Sequence, residues 1–181
     1  MKKTIFIMIL CLMVSSIASA AQVRICDFGL DTFVSRYNAL AKSKNNPYIM
    51  KNPNKISSDS LYDYYGIALN NQTNGNGLLF DVNKEGYISS ITLSNNVPNN
   101  GQNTVDAIIN ILSVIGANDD EITNFLSHLL NVSSSLTSGD IIGHQWISSA
   151  NRYVIVGFSS IDTNIDKIDT FIFLASDNMQ P

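Results

Sequence analysis

The stretch Leu78-Leu79-Phe80-Asp81-Val82-Asn83-Lys84-Glu85-Gly86-Tyr87-Ile88-Ser89-Ser90-Ile91-Thr92-Leu93 decides the fold. Two apolar runs flank Asn83-Lys84-Glu85-Gly86, a short polar loop with glycine near its end, and that arrangement specifies a β-hairpin. The same residues resemble the opening of an EF-hand calcium loop, with oxygen-bearing side chains at Asp81, Asn83 and Glu85 and glycine in sixth place. The twelfth position is Thr92, which cannot supply the bidentate carboxylate, and the flanks alternate as strands do. A hairpin turn is the expectation, with no metal. Asp162, Asn164 and Asp166 repeat the oxygen spacing without the glycine and are read in the same way.

Working upstream, residues 61–69 are dense in tyrosine and aliphatics and predict a strand, closed by the Asn/Gly-rich turn 70–77. Residues 42–60 are rich in Asn, Pro, Ser and Lys, with Tyr48, Ile49 and Met50 as the apolar island. They predict a long surface connection carrying a short edge strand. Leu30, Phe33, Val34, Tyr37, Leu40 and Ala41 fall at helical spacing and predict a helix over 29–43. Ahead of it, residues 23–26 read as an extended strand around Cys26.

Downstream of the hairpin, 95–102 is a loop and two helices follow. Val105, Ile108, Ile109, Leu112 and Ile115 make one apolar stripe, opened by Asn103 with Asp106 and closed by Gly116. Asn118 and Glu121 form a capping-box start for Ile122, Phe125, Leu126, Leu129 and Leu130. After the polar run 133–139, strands are expected near 140–148, 152–160 and 168–176. In the second of these, Val154, Val156 and Phe158 alternate with Tyr153 and Ile155, so both faces are apolar and the strand is expected to be central.

The resulting fold class is α+β: a single domain with an antiparallel β-sheet packed against three helices. The element order also admits two divergent α-βββ halves, since an offset of 81 brings Asp81 onto Asp162, Asn83 onto Asn164, Ile91 onto Ile172 and Leu93 onto Leu174.

Ahead of this domain, Lys2 and Lys3 precede an apolar run from Ile5 to Val14 and then Ser15-Ser16-Ile17-Ala18-Ser19-Ala20. Residues 1–20 therefore read as a bacterial-type secretory signal peptide, and 21–181 as the exported domain, periplasmic or secreted. The apolar run is shorter than the roughly 20 residues a bilayer core requires. Cys11 and Cys26 follow Leu10 and Ile25, where lipid attachment needs a small residue. Export would leave Cys26 alone, so no intramolecular disulfide is expected.

Of 11 basic residues, Lys2 and Lys3 leave with the leader, so 9 face 15 acidic ones. That balance argues against nucleic acid as a partner. Between Asp31 and Asp59 the chain has no acidic residue, yet it holds Arg36, Lys42, Lys44, Lys51 and Lys55. Such segregation steers an acidic partner toward one face. Lys42, Lys44, Tyr48, Met50, Lys51 and Lys55 are therefore the candidate binding residues, Tyr48 and Met50 being side-chain types favoured at interfaces.

Catalytic chemistry has thin support. His144 shares a strand face with Ile142 and with Trp146, the sole tryptophan, so His144 and Trp146 are the candidate pocket residues. Cys26 with His144 as base would need a thiolate and an oxyanion hole, and nothing near Cys26 in sequence supplies an activating turn. His128 falls on the polar side of its helix, and the acids Asp119, Asp120 and Glu121 are spent on a helix start. No cofactor or metal is implied. The expectation is an exported, non-catalytic binding protein (an inhibitor, immunity-type neutraliser or envelope accessory factor) that acts on another protein. The alternatives are a small hydrolase or transferase using His144, and a carrier of a small apolar ligand.

The leader reading has a direct check. Intact-mass analysis of protein recovered from the producing cell is expected to give a chain beginning at Ala21 or Gln22, and a retained Met1 or an added lipid would refute it.

Overall fold

The computed structural model describes residues 24–69, 77–94, 101–133, 139–147, 152–160 and 170–176, and from residue 129 onward the description is of backbone and strand register. The expected leader lies outside the described residues. Among the described residues three helices, α1 (Leu30–Ser43), α2 (Gly101–Ile115) and α3 (Asp119–Ser133), accompany seven strands. The strands are β1 (Asn54–Ser58), β2 (Tyr62–Ala68), β3 (Gly77–Asn83), β4 (Ile88–Ser94), β5 (Gly139–Ile147), β6 (Arg152–Ser160) and β7 (Thr170–Ser176). They form one sheet in the order β1-β2-β3-β4-β7-β6-β5, with every neighbouring pair antiparallel. The molecule is thus a single α+β domain, and β6 lies between β7 and β5 as its two apolar faces require.

The β3–β4 hairpin forms as the quoted stretch dictates. Asn83 organises the turn: its backbone N–H donates to Tyr87 O, and its Oδ1 accepts from the N–H groups of Glu85 and Tyr87. Gly86 has φ +89°, a left-handed conformation in which glycine avoids the Cβ clash. Asp81 accepts instead from the Ser90 hydroxyl on the neighbouring strand. The Asp81 and Asn83 oxygens that suggested a calcium loop thus serve the ladder and the turn.

Alternation along β3 sets the core. Leu78, Phe80 and Val82 are buried while Leu79 is exposed. The ladder carries these faces across the sheet. Phe80 pairs with Ile91, Ile91 with Phe173, Phe173 with Val156 and Val156 with Gly143, giving one row on the core face. Phe33 of α1 meets Phe80 edge-on at 5.5 Å between ring centroids, which seats α1 on that face. Leu30, Phe33, Tyr37 and Ala41 are its buried stripe, as the spacing predicts. Burial pushes the Tyr37 hydroxyl far above its ordinary pKa, so the side chain stays neutral in the core.

Helix ends are set by local chemistry. α1 closes with Asn45 in the left-handed region at φ 54°, with Asn46 N–H on Ala41 O and Asn45 N–H on Lys42 O. α2 closes on Gly116 at φ 118°, with Ala117 N–H on Leu112 O and Gly116 N–H on Ser113 O. Only two residues then intervene before α3. The capping box is reciprocal: Glu121 N–H donates to Asn118 Oδ1 and Asn118 N–H to a Glu121 carboxylate oxygen, both at 2.9 Å.

Three local expectations need correction. α2 starts at Gly101, so Asn103 sits in its first turn and does not cap it. Its buried surface is also wider than one stripe, because Ala107, Asn110, Ile111 and Val114 are buried along with Ile108, Leu112 and Ile115. The helix is packed between α1 and α3, and a helix with neighbours on two sides buries more than one face. Around Cys26, residues 25–28 form bends rather than a strand, pinned by Ile25 N–H on Ile88 O.

The two-halved order persists as topology, since β2-β3-β4 and β7-β6-β5 are antiparallel meanders joined through their third strands. Holding Leu93 on Leu174 makes their ladder partners, Leu78 and Ile155, equivalent. That shift differs from 81, so Asp81 corresponds to Phe158 and not to Asp162, which lies outside the described residues together with Asn164. The constant offset therefore does not survive the strand register.

Within α3, Ile122 and Phe125 are buried, Leu126 is partly buried and His128 is exposed. Phe125→Asp is expected to cost about 3–5 kcal/mol, a large share of the roughly 5–15 kcal/mol that holds an ordinary domain together, while His128→Ala stays within about 0.5 kcal/mol. Thermal melts of the two variants separate these outcomes, and equal effects would mean that the helix face is misassigned.

Candidate interaction surface

The connection from α1 to β2 is held to the domain at several points. The Asn38 side chain treats Met50 as a strand partner: Met50 N–H donates to Asn38 Oδ1 at 2.8 Å, and Asn38 Nδ2 donates to Met50 O at 2.9 Å. Met50 bridges to Leu69, Lys51 N–H donates to Ala68 O, and Asn46 Oδ1 accepts from Tyr48 N–H. Tyr48 and Met50 are 1% and 3% exposed. This corrects their assignment as surface contacts, because aromatic and thioether side chains on a segment lying against a core are taken into that core.

The lysines remain outside. Lys42, in the last turn of α1, Lys44, immediately after it, and Lys51 are exposed, and no ion pair joins them to another side chain among the described residues. Lys55 differs. It lies on β1 and pairs with Asp63 of β2 at 3.0 Å.

Asp63 is the hub of a small polar network. It takes Lys84 from the β3–β4 turn and Lys55, and it accepts from the Ser58 hydroxyl. Lys84, then Ser58 and Lys55, hold its carboxyl well below the usual carboxylate range. One residue beyond β1, Asp59 accepts the N–H groups of Tyr62 and Leu61 and the Tyr64 hydroxyl. Those bonds, the Tyr62 N–H foremost, lower its carboxyl pKa. Conversely, donating to Asp59 pushes the Tyr64 phenol up to about 12.

Beside this network lies the main apolar exposure of the described residues. Ile56, Leu61 and Leu79 are 59%, 59% and 49% exposed. All three come from the β1–β3 end of the sheet. Ile56 occupies a bulge where the β1–β2 register slips between Lys55 and Ser57. Its side chain lies over Gly66: a Cβ there would meet Ile56 Cδ1 at 2.8 Å and Leu79 Cδ2 at 3.9 Å. The absent side chain of Gly66 therefore lets Ile56 and Leu79 share one apolar mound, with the Tyr62 and Tyr64 rings 6.4 Å apart on the same strand.

Sequence reading missed this mound, although Leu79 carried a signal. Its position between the inward Leu78 and Phe80 makes it point outward. Nothing comparable marks Ile56, whose environment depends on the bulge, or Asp63, whose partners come from β1 and from the β3–β4 turn.

His144 and Trp146 lie on β5, at the far end of the sheet. The register row Tyr64, Asp81, Ser90, Leu174, Ile155 and His144 is the face opposite the Phe80 row. Cys26 is 2% exposed and belongs to the core cluster that includes Phe80. Cys26 thus lies in the core ahead of α1, and His144 occupies a β5 register position in the row that alternates with the Phe80 row. Among the described residues no group of three His, Cys, Asp or Glu side chains could hold a metal, and no helix is long and apolar enough to cross a membrane.

Comparisons with protein-family models, with curated proteins and with solved structures returned no match to this chain.

The Asp63 network has a pH signature. A carboxyl whose pKa is depressed on folding stabilises the fold fully above its unfolded value of about 3.9, and that contribution is lost as the pH falls through the folded pKa. Melting temperatures followed from pH 7 to pH 2 are expected to fall less steeply below about pH 4 in Asp63→Asn than in the wild type. Parallel curves would mean that these exposed pairs contribute nothing measurable.

Proposed function

We propose that this chain is an exported, non-catalytic binding protein that recognises an acidic partner protein through the β1–β3 end of its sheet and the lysine-bearing segment beside it. The observation that carries this reading is the meeting of exposed Ile56 and Leu79 over Gly66, on the strand face that also carries Tyr62 and Tyr64, with the Asp63 ion pairs on the same strand. An apolar and aromatic centre with a polar rim has the anatomy of a protein–protein interface. The mound and the lysines are connected along the chain. Lys51 bonds to Ala68 at one end of β2 and Leu61 adjoins its other end, and seven residues of strand separate them by about 20 Å. Export and a periplasmic or secreted destination rest on the leader sequence. Inhibition, immunity-type neutralisation and assistance to an envelope assembly are all activities that such a surface would serve.

Capture from an envelope extract tests the two parts separately. Ile56→Asp with Leu79→Asp is expected to weaken capture of the bound partner by about 30-fold, the effect of losing about 2 kcal/mol from an interface centre, with the fold retained. Lys42→Glu with Lys44→Glu and Lys51→Glu is expected to reduce capture and flatten its salt dependence. Lys55 is left in place because it holds Asp63. If folded forms of both variants captured as the wild type does, the proposed surface would be rejected.

A further inference from the structure

The sheet ends in two edges of opposite character. β1 is five residues long, follows Pro53, carries Lys55 and is interrupted by a bulge. These are devices by which an edge strand avoids pairing with another chain. β5 has none of them. It runs for nine residues, Gly139-Asp140-Ile141-Ile142-Gly143-His144-Gln145-Trp146-Ile147, without lysine, arginine or proline. Its register with β6 is unbroken from Gly139↔Ser160 to Ile147↔Arg152, and among the described residues β6 is its only strand partner.

We propose that the β5 edge is a self-association surface, at which β5 of one copy pairs antiparallel with β5 of a second copy and continues the sheet across a two-fold axis. A two-fold axis normal to the sheet keeps each face on its own side, so only residues of the same face can stand opposite one another. Among the registers this allows, the one centred on Ile142 pairs like with like. It sets Ile142 opposite Ile142, Ile141 opposite Gly143, and Asp140 opposite His144 twice over by symmetry. Asp140 is the sole carboxylate of the strand and His144 its sole basic side chain. A carboxylate set opposite an imidazole has an N–H to accept, and protonation of the histidine turns the pair into one of opposite charge, the kind that stabilises antiparallel ladders. Centring on Gly143 would instead place Asp140 opposite Trp146 and Ile142 opposite His144, losing that complementarity. The second copy is thus the occupant that the strand itself is matched to, and the surface lies at the other end of the sheet from the partner-binding corner.

Sedimentation equilibrium of the mature chain is expected to show a concentration-dependent dimer. Ile142→Lys is expected to raise the dimer dissociation constant at least tenfold, with circular dichroism unchanged, while Ile56→Lys at the opposite edge leaves it unaltered. Directly opposed residues in an antiparallel pair have Cα atoms about 4.5–5.5 Å apart, within disulfide reach. Ile142→Cys should therefore give an oxidised covalent dimer linked through residue 142. Gln145→Cys, which the register sets opposite Gly139, should not, and buried Cys26 should not compete. A chain that stays monomeric at every concentration would overturn the proposal. So would a dimer that Ile142→Cys fails to link, or a β5 edge whose amides become protected only when a foreign extended peptide is added.

Discussion

The pairing of β4 with β7 is the seam on which the sheet depends. Five residue pairs, from Ser90↔Leu174 to Ser94↔Thr170, join two antiparallel meanders that would otherwise each end in an edge strand with one unpaired side. Because β7 is the last of the described strands and stands in the middle of the sheet, the rows cannot be continuous until residues 170–176 have been made. This is a long-range contact, and loop closure of that span is entropically expensive until the buried rows offset it. The tight β3–β4 and β5–β6 hairpins are local and can form first. The seam then commits both.

Much of the architecture was legible because it rests on short-range chemistry. The Asn83–Gly86 turn, the Leu30/Phe33/Tyr37/Ala41 stripe and the Asn118/Glu121 capping box each depend on residues within a few positions of one another, and each forms as its spacing implies. The misreadings arose where a neighbour distant in sequence decides the outcome. α2 buries more than one stripe because two helices flank it, and no pattern within its own residues can report that. Residues 25–28 bend because Ile25 is held by Ile88 across the start of the sheet.

The candidate surface was legible only in its charge. Lys42, Lys44 and Lys51 stay exposed because an ammonium group resists burial, so a run of lysines is a sound guide to solvent. Tyr48 and Met50 were misread because interface-type side chains are also core-type side chains, and composition does not say which way a segment turns. Here the Asn38 bonds settle the matter by fixing Met50 against the domain. The exposed mound has the reverse history: Ile56 and Leu79 look like core residues until the bulge and the small Gly66 bring them together on the outer face.

The tethering of residues 46–51 has a further consequence for recognition. A partner that closes on a loose loop must freeze it, and each backbone residue so ordered costs about 1–2 kcal/mol. In this chain the ordering around Lys51 accompanies folding, through the Asn38–Met50 bonds, the Met50–Leu69 bridge and the burial of Tyr48. Only the lysine side chains retain freedom to lose. Preorganisation of that kind leaves more of the electrostatic attraction available as affinity, and it makes the surface insensitive to the sequence of the loop itself so long as Asn38 and the two buried side chains persist.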